Sequence, residues 1–364
     1  MSPVSERTET IRVPLPDHPY SIHVSGEGDD WTAPLSPILQ GKVPVVLTNP
    51  RVAKFCLPAL KKGLAALGVR PKVVLIPDGE RFKNLATVAR AYRGLLKAGA
   101  DRTTPVLLLG GGVVGDLGGF AAATYLRGLP FVQIGTTLVA QVDSSIGGKL
   151  GVDLPEGKNL VGVFGQPRAV LSHVPFLRTL PRRELVGGLG EVVKYGAIRD
   201  PHLFEIVEKN RACLLKGDEG VLFEIVRRSS SIKAEVVGQD EKESSLRMIL
   251  NFGHTFGHAL ERLTGYRKYL HGEAVGIGMT IASALSERLG FCSRAEAEKV
   301  RNAVVAAGLP VAWPRFPAAR WRAALEVDKK SRGGMIHFVF LKRVGEVTTH
   351  PVSAKELVER FTDL

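Results

Sequence analysis

The chain has 364 residues, of which 45% are hydrophobic, and this is enough to build two packed domains. Its three cysteines, Cys56, Cys213 and Cys292, are far apart, so we expect neither a disulfide framework nor a cysteine-based metal cluster. The N-terminus has no apolar segment typical of a secretion signal, and no apolar run reaches membrane-spanning length. We therefore predict a soluble cytoplasmic protein.

The formal net charge is +13, with 49 Lys and Arg residues against 36 Asp and Glu residues. A nucleic-acid-binding or scaffolding protein is one explanation, but the basic residues are scattered and no run of five occurs. A basic surface without a function is a second explanation. Because a basic cleft concentrates anions, we favour a small anionic substrate, and we expect neither nucleic acid nor membrane as a partner.

The first half of the sequence alternates between strand and helix patterns. Short runs of branched apolar residues predict strands, and apolar residues three and four apart predict helices. In chain order these are a strand at 43–49, a helix at 52–67, a strand at 72–77, a helix at 85–100, and strands at 104–112 and 129–137. This alternation predicts a parallel sheet with helices on its faces.

After about residue 175, helical patterns dominate. Helical periodicity is found at 184–198, 221–240, 248–263, 272–290 and 295–308, and a strand pattern returns only at 335–342. We therefore predict an α/β domain at 1–175 and a mainly helical domain at 176–364, with a site in the cleft between them.

The segment GGGVVGD lies between the strand pattern at 104–112 and a helix pattern. Gly110, Gly112 and Gly115 have the G-x-G-x-x-G spacing, in which glycines let backbone N–H groups approach a pyrophosphate. The next predicted strand does not end in an acidic residue for a ribose, so we predict a phosphate-binding turn outside the standard dinucleotide fold. Tight packing alone is the alternative reason for these glycines.

The segment NFGHTFGHALE places His254 and His258 four residues apart, and His271 follows thirteen residues later. Two histidines at this spacing lie on one face of a helix and can share a metal ion. Glu191 is the best upstream carboxylate. Thr255 occupies the position where zinc proteases carry a glutamate, which disfavours protease chemistry. A lone histidine is more often a core residue, but three in a glycine-rich setting favour a metal site.

Basic and amide side chains occur close to these motifs. Any one of them alone would more often be a solvated surface group. Several in glycine-rich or apolar settings predict an anion-binding lining. They are Lys149, Lys158, Asn159, Lys194, Lys233, Arg247 and Asn251.

Five segments in a fixed order then carry a family pattern. The first runs from GGGVVGD to GKNLVGVF, and it is followed by GGLGEVVKYG, SIKAEVV, LNFGHTFGHALE and LHGEAVGIGM. These segments resemble the 3-dehydroquinate synthases, a sugar-phosphate cyclase family, and the likeness runs over about residues 10–345. The resemblance implies an α/β NAD-binding domain at 1–175 and a mainly helical metal- and substrate-binding domain at 176–364.

The resemblance also implies an activity. It would be a lyase of the shikimate pathway, in aromatic amino acid biosynthesis, that converts 3-deoxy-D-arabino-heptulosonate 7-phosphate to 3-dehydroquinate and phosphate. The family's route is transient oxidation, phosphate β-elimination, reduction and intramolecular aldol closure. The implied cofactors are NAD, recycled in each turnover, and Zn²⁺, with Co²⁺ as an alternative metal.

The resemblance gives the histidines different tasks. It implies Glu191, His254 and His271 as the metal ligands, so His258 would lie beside the metal and either transfer a proton or orient the substrate. Three protein ligands leave positions on the ion for substrate oxygens.

The other matched positions fall into two sets. Those implied in substrate binding and catalysis are Lys149, Lys194, Lys233, Arg247, Asn251, Asn159, Asp143, Arg127 and Lys329. Those implied in NAD binding are Asn49, Glu80, Lys83, Gly111, Gly112, Val113, Asp116, Thr136, Thr137, Lys149 and Lys158. Arg127 matches an arginine that reaches the phosphate from a neighbouring subunit, which implies a homodimer. For Lys329, the adjacent Lys330 leaves the register open.

One position departs from the family pattern. Where the family commonly has an aspartate after its first strand, this chain has Asn49, and Arg51 follows shortly after. An amide accepts hydrogen bonds less strongly than a carboxylate, and an arginine would tolerate a 2′-phosphate. We still predict NAD over NADP.

Two related activities remain as alternatives. One is a cyclase acting on sedoheptulose 7-phosphate, against which Lys233, Asn251 and His258 argue, because these positions resemble the 3-dehydroquinate synthases. The other is a metal-dependent polyol dehydrogenase, which would not need so many cationic residues for a phosphate and a carboxylate.

Overall fold

The computed structural model of the chain describes residues 7–329 and 335–362, apart from the side chains at 327–329 and 362. Its internal contacts divide the chain into two compact units. The first unit comprises the residues up to Leu180 together with Leu222–Gly238, and the second comprises Pro181–Val221 together with the residues from Gln239 onward. The predicted functional boundary between residues 175 and 176 stays a prediction.

The first unit is built on a mostly parallel sheet. Its strands are β1 (Thr8–Val13), β2 (Tyr20–Ser25), β3 (Val45–Thr48), β4 (Lys72–Leu75), β5 (Val106–Gly110), β6 (Phe131–Gly135), β7 (Lys149–Leu154), β8 (Gly157–Phe164) and β9 (Ala169–His173). Seven of them form one sheet in the order β1-β2-β9-β6-β5-β3-β4. β1 is antiparallel to β2, and the other neighbouring pairs are parallel. The predicted parallel sheet is confirmed.

Fourteen α-helices lie among the described residues. They are α1 (Ser36–Leu39), α2 (Pro50–Phe55), α3 (Leu57–Ala66), α4 (Leu85–Lys97), α5 (Gly112–Thr124), α6 (Arg182–Ile198), α7 (Pro201–Lys209), α8 (Arg211–Lys216), α9 (Glu219–Gln239), α10 (His254–Leu263), α11 (His271–Arg288), α12 (Arg294–Ala306), α13 (Ala318–Lys329) and α14 (Ala354–Thr362). The single helix predicted at 52–67 is two helices, because Pro58 has no N–H to continue α2 into α3.

Both faces of the large sheet are buried. Val45 and Leu47 of β3 pack into a cluster with residues of α4 and α5, while Val46 between them packs into a second cluster with residues of α3. Successive strand residues point to opposite faces, so a strand covered on both sides reads as a continuous apolar run. This is why β3, β5 and β6 could be predicted from sequence, although the buried strand β9 was missed.

Several strands were missed. β1 and β2 form the N-terminal edge, and β7 and β8 form an antiparallel hairpin apart from the large sheet. β1 contains Thr8, Glu9, Thr10 and Arg12, and its residues are mostly exposed, so it lacks the apolar pattern used to find strands.

The second unit is mainly helical. Its strands are β10 (Ile336–Arg343) and β11 (Glu346–Val352), which form an antiparallel hairpin. The strand predicted at 335–342 is therefore confirmed, and so is the α/β-plus-helical class. Among the described residues, no helix has the length and apolar character needed to cross a membrane.

Candidate functional site

Three helices of the second unit approach one another through glycine backbone. A Cβ atom at Gly272 of α11 would lie 1.7 Å from the carbonyl oxygen of Gly187 in α6. A Cβ at Gly278 of α11 would lie 1.9 Å from the carbonyl oxygen of Gly253, which precedes α10. Side chains at these positions would push the helices apart, so the glycines set how closely α6, α10 and α11 pack.

This packing gathers one carboxylate and three imidazoles. Glu191 comes from α6, His254 and His258 from α10, and His271 from the first residue of α11. Glu191 Oε1 lies 3.4 Å from His254 Nε2 and 3.2 Å from His271 Nε2. The three histidines each offer a ring nitrogen within 4.8 Å of the others.

Glu191 is an anion held away from water. It is completely buried, and neither carboxylate oxygen makes a hydrogen bond of good geometry with any described residue, although Lys194 Nζ forms an ion pair with Oε2. Burial alone would raise the pKa of Glu191, but the charges of Lys194 and His254 hold it well below its usual range. A buried carboxylate without directed hydrogen bonds is suited to bind a cation.

The donor set fits a zinc ion. Zinc takes imidazole nitrogen and carboxylate oxygen at about 2.0–2.2 Å in a tetrahedral arrangement, which puts two ligand atoms roughly 3.3 Å apart. The oxygen–nitrogen separations of 3.2 and 3.4 Å around Glu191 have this size. The geometry therefore supports Glu191, His254 and His271 as a ligand set, and the assignment stays a prediction.

His254 and His271 both have their Nδ1 atom held by an acceptor. His254 Nδ1 lies 3.3 Å from the carbonyl oxygen of Phe252, and His271 Nδ1 lies 3.4 Å from Glu261 Oε2. A carbonyl and an ionised carboxylate can only accept, so each Nδ1 donates and each Nε2 is left to face Glu191.

The carboxylates around His271 also change its basicity. Burial lowers the pKa of His271, but the nearby carboxylates of Glu191 and Glu261 outweigh this effect and raise it to about 10. A bound cation would replace the proton on Nε2. His258 is not buried, and its ring centroid lies 5.3 Å from that of His254 and 5.8 Å from that of His271.

The segment before α10 holds two further predicted residues. Asp240 accepts hydrogen bonds from three backbone N–H groups of this segment, including that of Arg247 at 3.0 Å. The Arg247 side chain is buried and donates to the carbonyl oxygen of Glu241. Asn251 Nδ2 donates to Glu243 Oε1 at 2.7 Å. Both predicted side chains are thus anchored in the second unit.

In the first unit, the glycine-rich turn joins β5 to α5. Gly110 ends β5, and Gly112 begins α5. A Cβ atom at Gly111 would lie 2.8 Å from Thr137 Cγ2, and one at Gly112 would lie 3.3 Å from Ser144 Oγ. The first turn of this thirteen-residue helix, which includes Val113, carries no acidic side chain. Its backbone N–H groups therefore suit an anion such as a pyrophosphate.

Next to this turn, predicted cofactor and substrate residues form a polar network. Lys83 Nζ donates to Asp116 Oδ2 and to Asn159 Oδ1, both at 2.6 Å, and Lys158 Nζ lies 3.2 Å from Glu80 Oε1. Burial would lower the pKa of Lys83, but the charges of Asp116 and Glu80 raise it. Lys83 is therefore a charged, buried cation.

Asn49 has a neighbour that the sequence did not suggest. It follows β3 and caps α2 by accepting from the N–H of Val52, while its Nδ2 donates to Asp78 Oδ1 at 2.9 Å. The carboxylate of Asp78 thus lies beside Asn49, the position where the family commonly has an aspartate. The segment PDGERFK, which contains Glu80 and Lys83, was the only signal that could have pointed to Asp78.

Lys233 lies with the first unit, although sequence reasoning placed its helix in the second domain. Its Nζ donates to Asp143 Oδ1 at 2.7 Å, and Ser230 one turn earlier donates to the carbonyl oxygen of Gln141. Asp143 lies in a π-helical turn, Ala140–Ser144, and such turns are frequent at functional sites. α9 therefore delivers its lysine to the π-helical turn.

The remaining predicted residues are placed as follows. Thr136 is buried beside β6, and its N–H donates to the carbonyl oxygen of Gly110. Lys149 begins β7 and is exposed. Arg127 is exposed and has a φ of +68°. The side chain of Lys329 lies outside the described residues.

Comparison with known proteins gives the same pattern over nearly the whole chain. Family models described as 3-dehydroquinate synthase N-terminal and C-terminal match residues 73–187 and 188–331. The curated 3-dehydroquinate synthase of Citrifermentans bemidjiense is 48% identical over 358 residues, which cover 98% of this chain and 96% of that protein.

Solved structures agree with the fold. The 2-epi-5-epi-valiolone synthase ValA of Streptomyces hygroscopicus, with NAD⁺ and Zn²⁺ bound, has a TM-score of 0.85 at 29% identity, covering 94% of this chain and 95% of that one. A 2-deoxy-scyllo-inosose synthase complex with NAD⁺ and Co²⁺ has a TM-score of 0.86 at 23% identity, covering 98% and 99% of the two chains. The second likeness concerns the fold alone.

Proposed function

The chain belongs to the 3-dehydroquinate synthase family, and we propose that it converts 3-deoxy-D-arabino-heptulosonate 7-phosphate to 3-dehydroquinate and phosphate. The observation that carries the proposal is the 48% identity to curated 3-dehydroquinate synthases over 98% of the chain. The carboxylate–imidazole cluster and the glycine-rich turn support it, because this chemistry needs a metal ion and NAD.

We propose that Glu191, His254 and His271 hold Zn²⁺, for which Co²⁺ could substitute. We propose that NAD lies against the glycine-rich turn and the Lys83 network. When bound, NAD would accept and return a hydride, and the metal ion would polarise a substrate oxygen. The proposed NAD-contacting residues are Asn49, Glu80, Lys83, Gly111, Gly112, Val113, Asp116, Thr136, Thr137, Lys149 and Lys158.

The proposed task of His258 is to hold and move a proton beside the metal ligands. It lies one turn after His254 on α10, is less buried than its neighbour, and contacts both proposed ligand histidines. An imidazole can take or give a proton near neutral pH, so this position suits a general acid or base.

Two buried lysines would supply positive charge for the anionic substrate. Lys194 is 1% exposed and pairs with Glu191, and Lys233 is 6% exposed and pairs with Asp143. A carboxylate partner keeps a buried ammonium group charged. Charge-assisted hydrogen bonds to phosphate and carboxylate are the proposed role of these lysines together with Arg247, Asn251, Asn159, Lys149 and Lys329.

A homodimer in the cytoplasm is part of the proposal. Arg127 is exposed, with a φ of +68°, in the short turn Tyr125–Arg127 that follows α5. This placement suits an arginine that reaches the substrate phosphate of a neighbouring subunit, as the family resemblance implies. Sedimentation of the purified protein would test the dimer, and an R127A variant should then keep the dimer while losing turnover.

The decisive test is release of inorganic phosphate from the heptulosonate phosphate. We expect release that requires NAD and stops when a chelator removes the metal, because both groups take part in the same reaction. Sedoheptulose 7-phosphate should give no cyclised product, and a simple polyol should give no net NADH. Turnover of either rival substrate at a comparable rate, with none of the heptulosonate phosphate, would replace the proposal with that activity.

The carboxylate beside Asn49 supports NAD as the cofactor. Asp78 would repel a 2′-phosphate and could share a ribose hydroxyl with the Asn49 amide. We therefore expect the apoenzyme to bind NAD⁺ more tightly than NADP⁺ in a calorimetric titration. A tighter complex with NADP⁺ would contradict this part of the proposal and indicate that Arg51 dominates.

A further inference from the structure

Helix α10 presents three titratable side chains on one face. His254, His258 and Glu261 are spaced i, i+4 and i+7, so they project from the same side of the helix. The two histidines belong to the cluster around Glu191. Glu261 is 3% exposed, and a carboxylate at this depth is rare unless it is paired.

The carboxylate of Glu261 is directed at an imidazole from another helix. Its Oε2 lies 3.4 Å from Nδ1 of His271, whose Nε2 lies 3.2 Å from Glu191 Oε1. The ring of His271 is therefore held at both nitrogens by carboxylates from α6 and α10. An ionised Glu261 can only accept, so it keeps the hydrogen of His271 on Nδ1 and leaves Nε2 as the donor atom for a metal.

The second ligand histidine is held differently. His254 Nδ1 lies 3.3 Å from a backbone carbonyl oxygen, that of Phe252, which carries no charge. A carboxylate behind an imidazole makes the ring a more basic ligand than a carbonyl does. The two imidazoles thus differ in their acceptors: a charged carboxylate holds His271, and a neutral carbonyl holds His254.

We propose that Glu261 is a positioning residue for the metal: it fixes the ring orientation and tautomer of His271 and strengthens it as a ligand. The inference rests on the metal site of the proposed function. In this role Glu261 acts through His271 and does not itself bind the metal.

The test measures metal affinity rather than turnover. Apoprotein of the wild type, E261Q and E261A is titrated with Zn²⁺ against a chromophoric chelator. We expect E261Q to bind zinc about 10- to 100-fold more weakly, the range typical of outer-shell partners, and E261A to lose at least as much. The glutamine oxygen can still accept from Nδ1, so E261Q should retain part of the affinity that E261A loses.

E296Q is the matched control. Glu296 is a mostly buried carboxylate of the same unit whose side chain accepts from the N–H of Val344 and pairs with Lys299. It receives the same chemical change, so we expect unchanged zinc affinity. Cobalt-loaded samples add a spectroscopic readout: the visible d–d bands should shift in E261Q and not in E296Q.

The outcomes separate the inference from the proposed function. If E261Q and E261A bind zinc as the wild type does, with unshifted cobalt bands, while H271A does not bind it, the role of Glu261 is overturned and the metal site stands. If the wild type itself binds no zinc, the proposed metal site fails and this inference fails with it. Should E261A not fold, the affinity and cobalt spectrum of E261Q decide.

Discussion

The glycine-rich turn of the first unit and the histidine cluster of the second unit are assembled in different ways. The turn is local: a strand ends at Gly110, a helix begins at Gly112, and both lie within a few residues of Asp116. The cluster is not: Glu191, His254 and His271 come from three helices, and α7, α8 and α9 separate α6 from α10 and α11 in the sequence. A local motif survives small changes elsewhere in the chain, whereas a cluster from separate helices depends on how they pack.

The close packing of α11 against α6 allows the first test of this difference. In a G272A variant the added Cβ would lie 1.7 Å from the carbonyl oxygen of Gly187, and backbone cannot move aside as a side chain can. We expect a loss of more than about 3 kcal/mol in unfolding free energy, with zinc binding lost as well. Urea unfolding and metal analysis measure both.

G276A is the control for that substitution. It lies on the same helix, but its Cβ would meet side chains of Val304 and Leu309 at 3.3–3.5 Å, which can adjust. Alanine is also the better helix former. A G276A variant as unstable as G272A would show that α11 tolerates no added side chain, and that close backbone approach is not the reason.

The next test compares His271, a proposed metal ligand, with His258, the proposed proton-transfer residue. H271A removes a proposed ligand, so we expect zinc affinity to fall by more than about 100-fold, beyond the effect of an outer-shell change. H258A should keep its metal and lose turnover, because His258 is proposed to act on a proton. Metal content and phosphate release separate the two effects. Equal loss of metal in both variants would refute the division of tasks.

The hydrogen bonds of Lys83 to Asp116 and Asn159 allow a corresponding test in the first unit. K83M removes the Lys83 hydrogen bonds to the Asp116 carboxylate and the Asn159 amide. We expect NAD⁺ affinity to fall about 10- to 100-fold, as expected for lost charge-assisted hydrogen bonds, with zinc affinity unchanged. Calorimetry gives both values.

K72M is the control for K83M. Lys72 Nζ also donates a hydrogen bond, to the carbonyl oxygen of Ala98, but it is exposed. Its loss should change neither affinity. If K83M weakened zinc binding as strongly as NAD⁺ binding, the cofactor and metal residues could not be treated as separable sets.

The last expected effect concerns pH and involves neither the proposed cofactor residues nor the proposed metal ligands. His173 stacks on Trp31 with ring centroids 4.8 Å apart, and its Nδ1 lies 3.1 Å from Ser25 Oγ. Burial lowers the pKa of His173 to about 4, so below pH 6.5 the unfolded chain takes up a proton that the folded chain does not. Stability should therefore decrease as pH falls from 6.5 towards 4, by about 2 kcal/mol at pH 5.

H173F keeps an aromatic ring and removes the proton site. Its absolute stability can differ, because Ser25 loses a partner, but its stability should fall less between pH 7 and pH 5. Urea unfolding at both pH values measures the difference. An unchanged pH dependence in H173F would mean that other groups cause the acid sensitivity.

Much of the fold could be predicted from local pattern. Central strands such as β3 and β5 are continuous apolar runs because both faces of the sheet are covered, and α10 and α11 show helical periodicity. The edge strand β1 could not be found in this way, because an exposed edge does not need apolar side chains.

The sequence by itself determined which residue types are available: a glycine turn after a strand, two histidines one helical turn apart, and a family pattern across nearly the whole chain. Only the tertiary structure decided which atoms meet. It placed Asp78 beside Asn49, Lys233 against Asp143, and Glu261 behind His271. The physical reason is that these contacts join different helices, strands and turns, so they depend on how whole elements pack together, which no local pattern encodes.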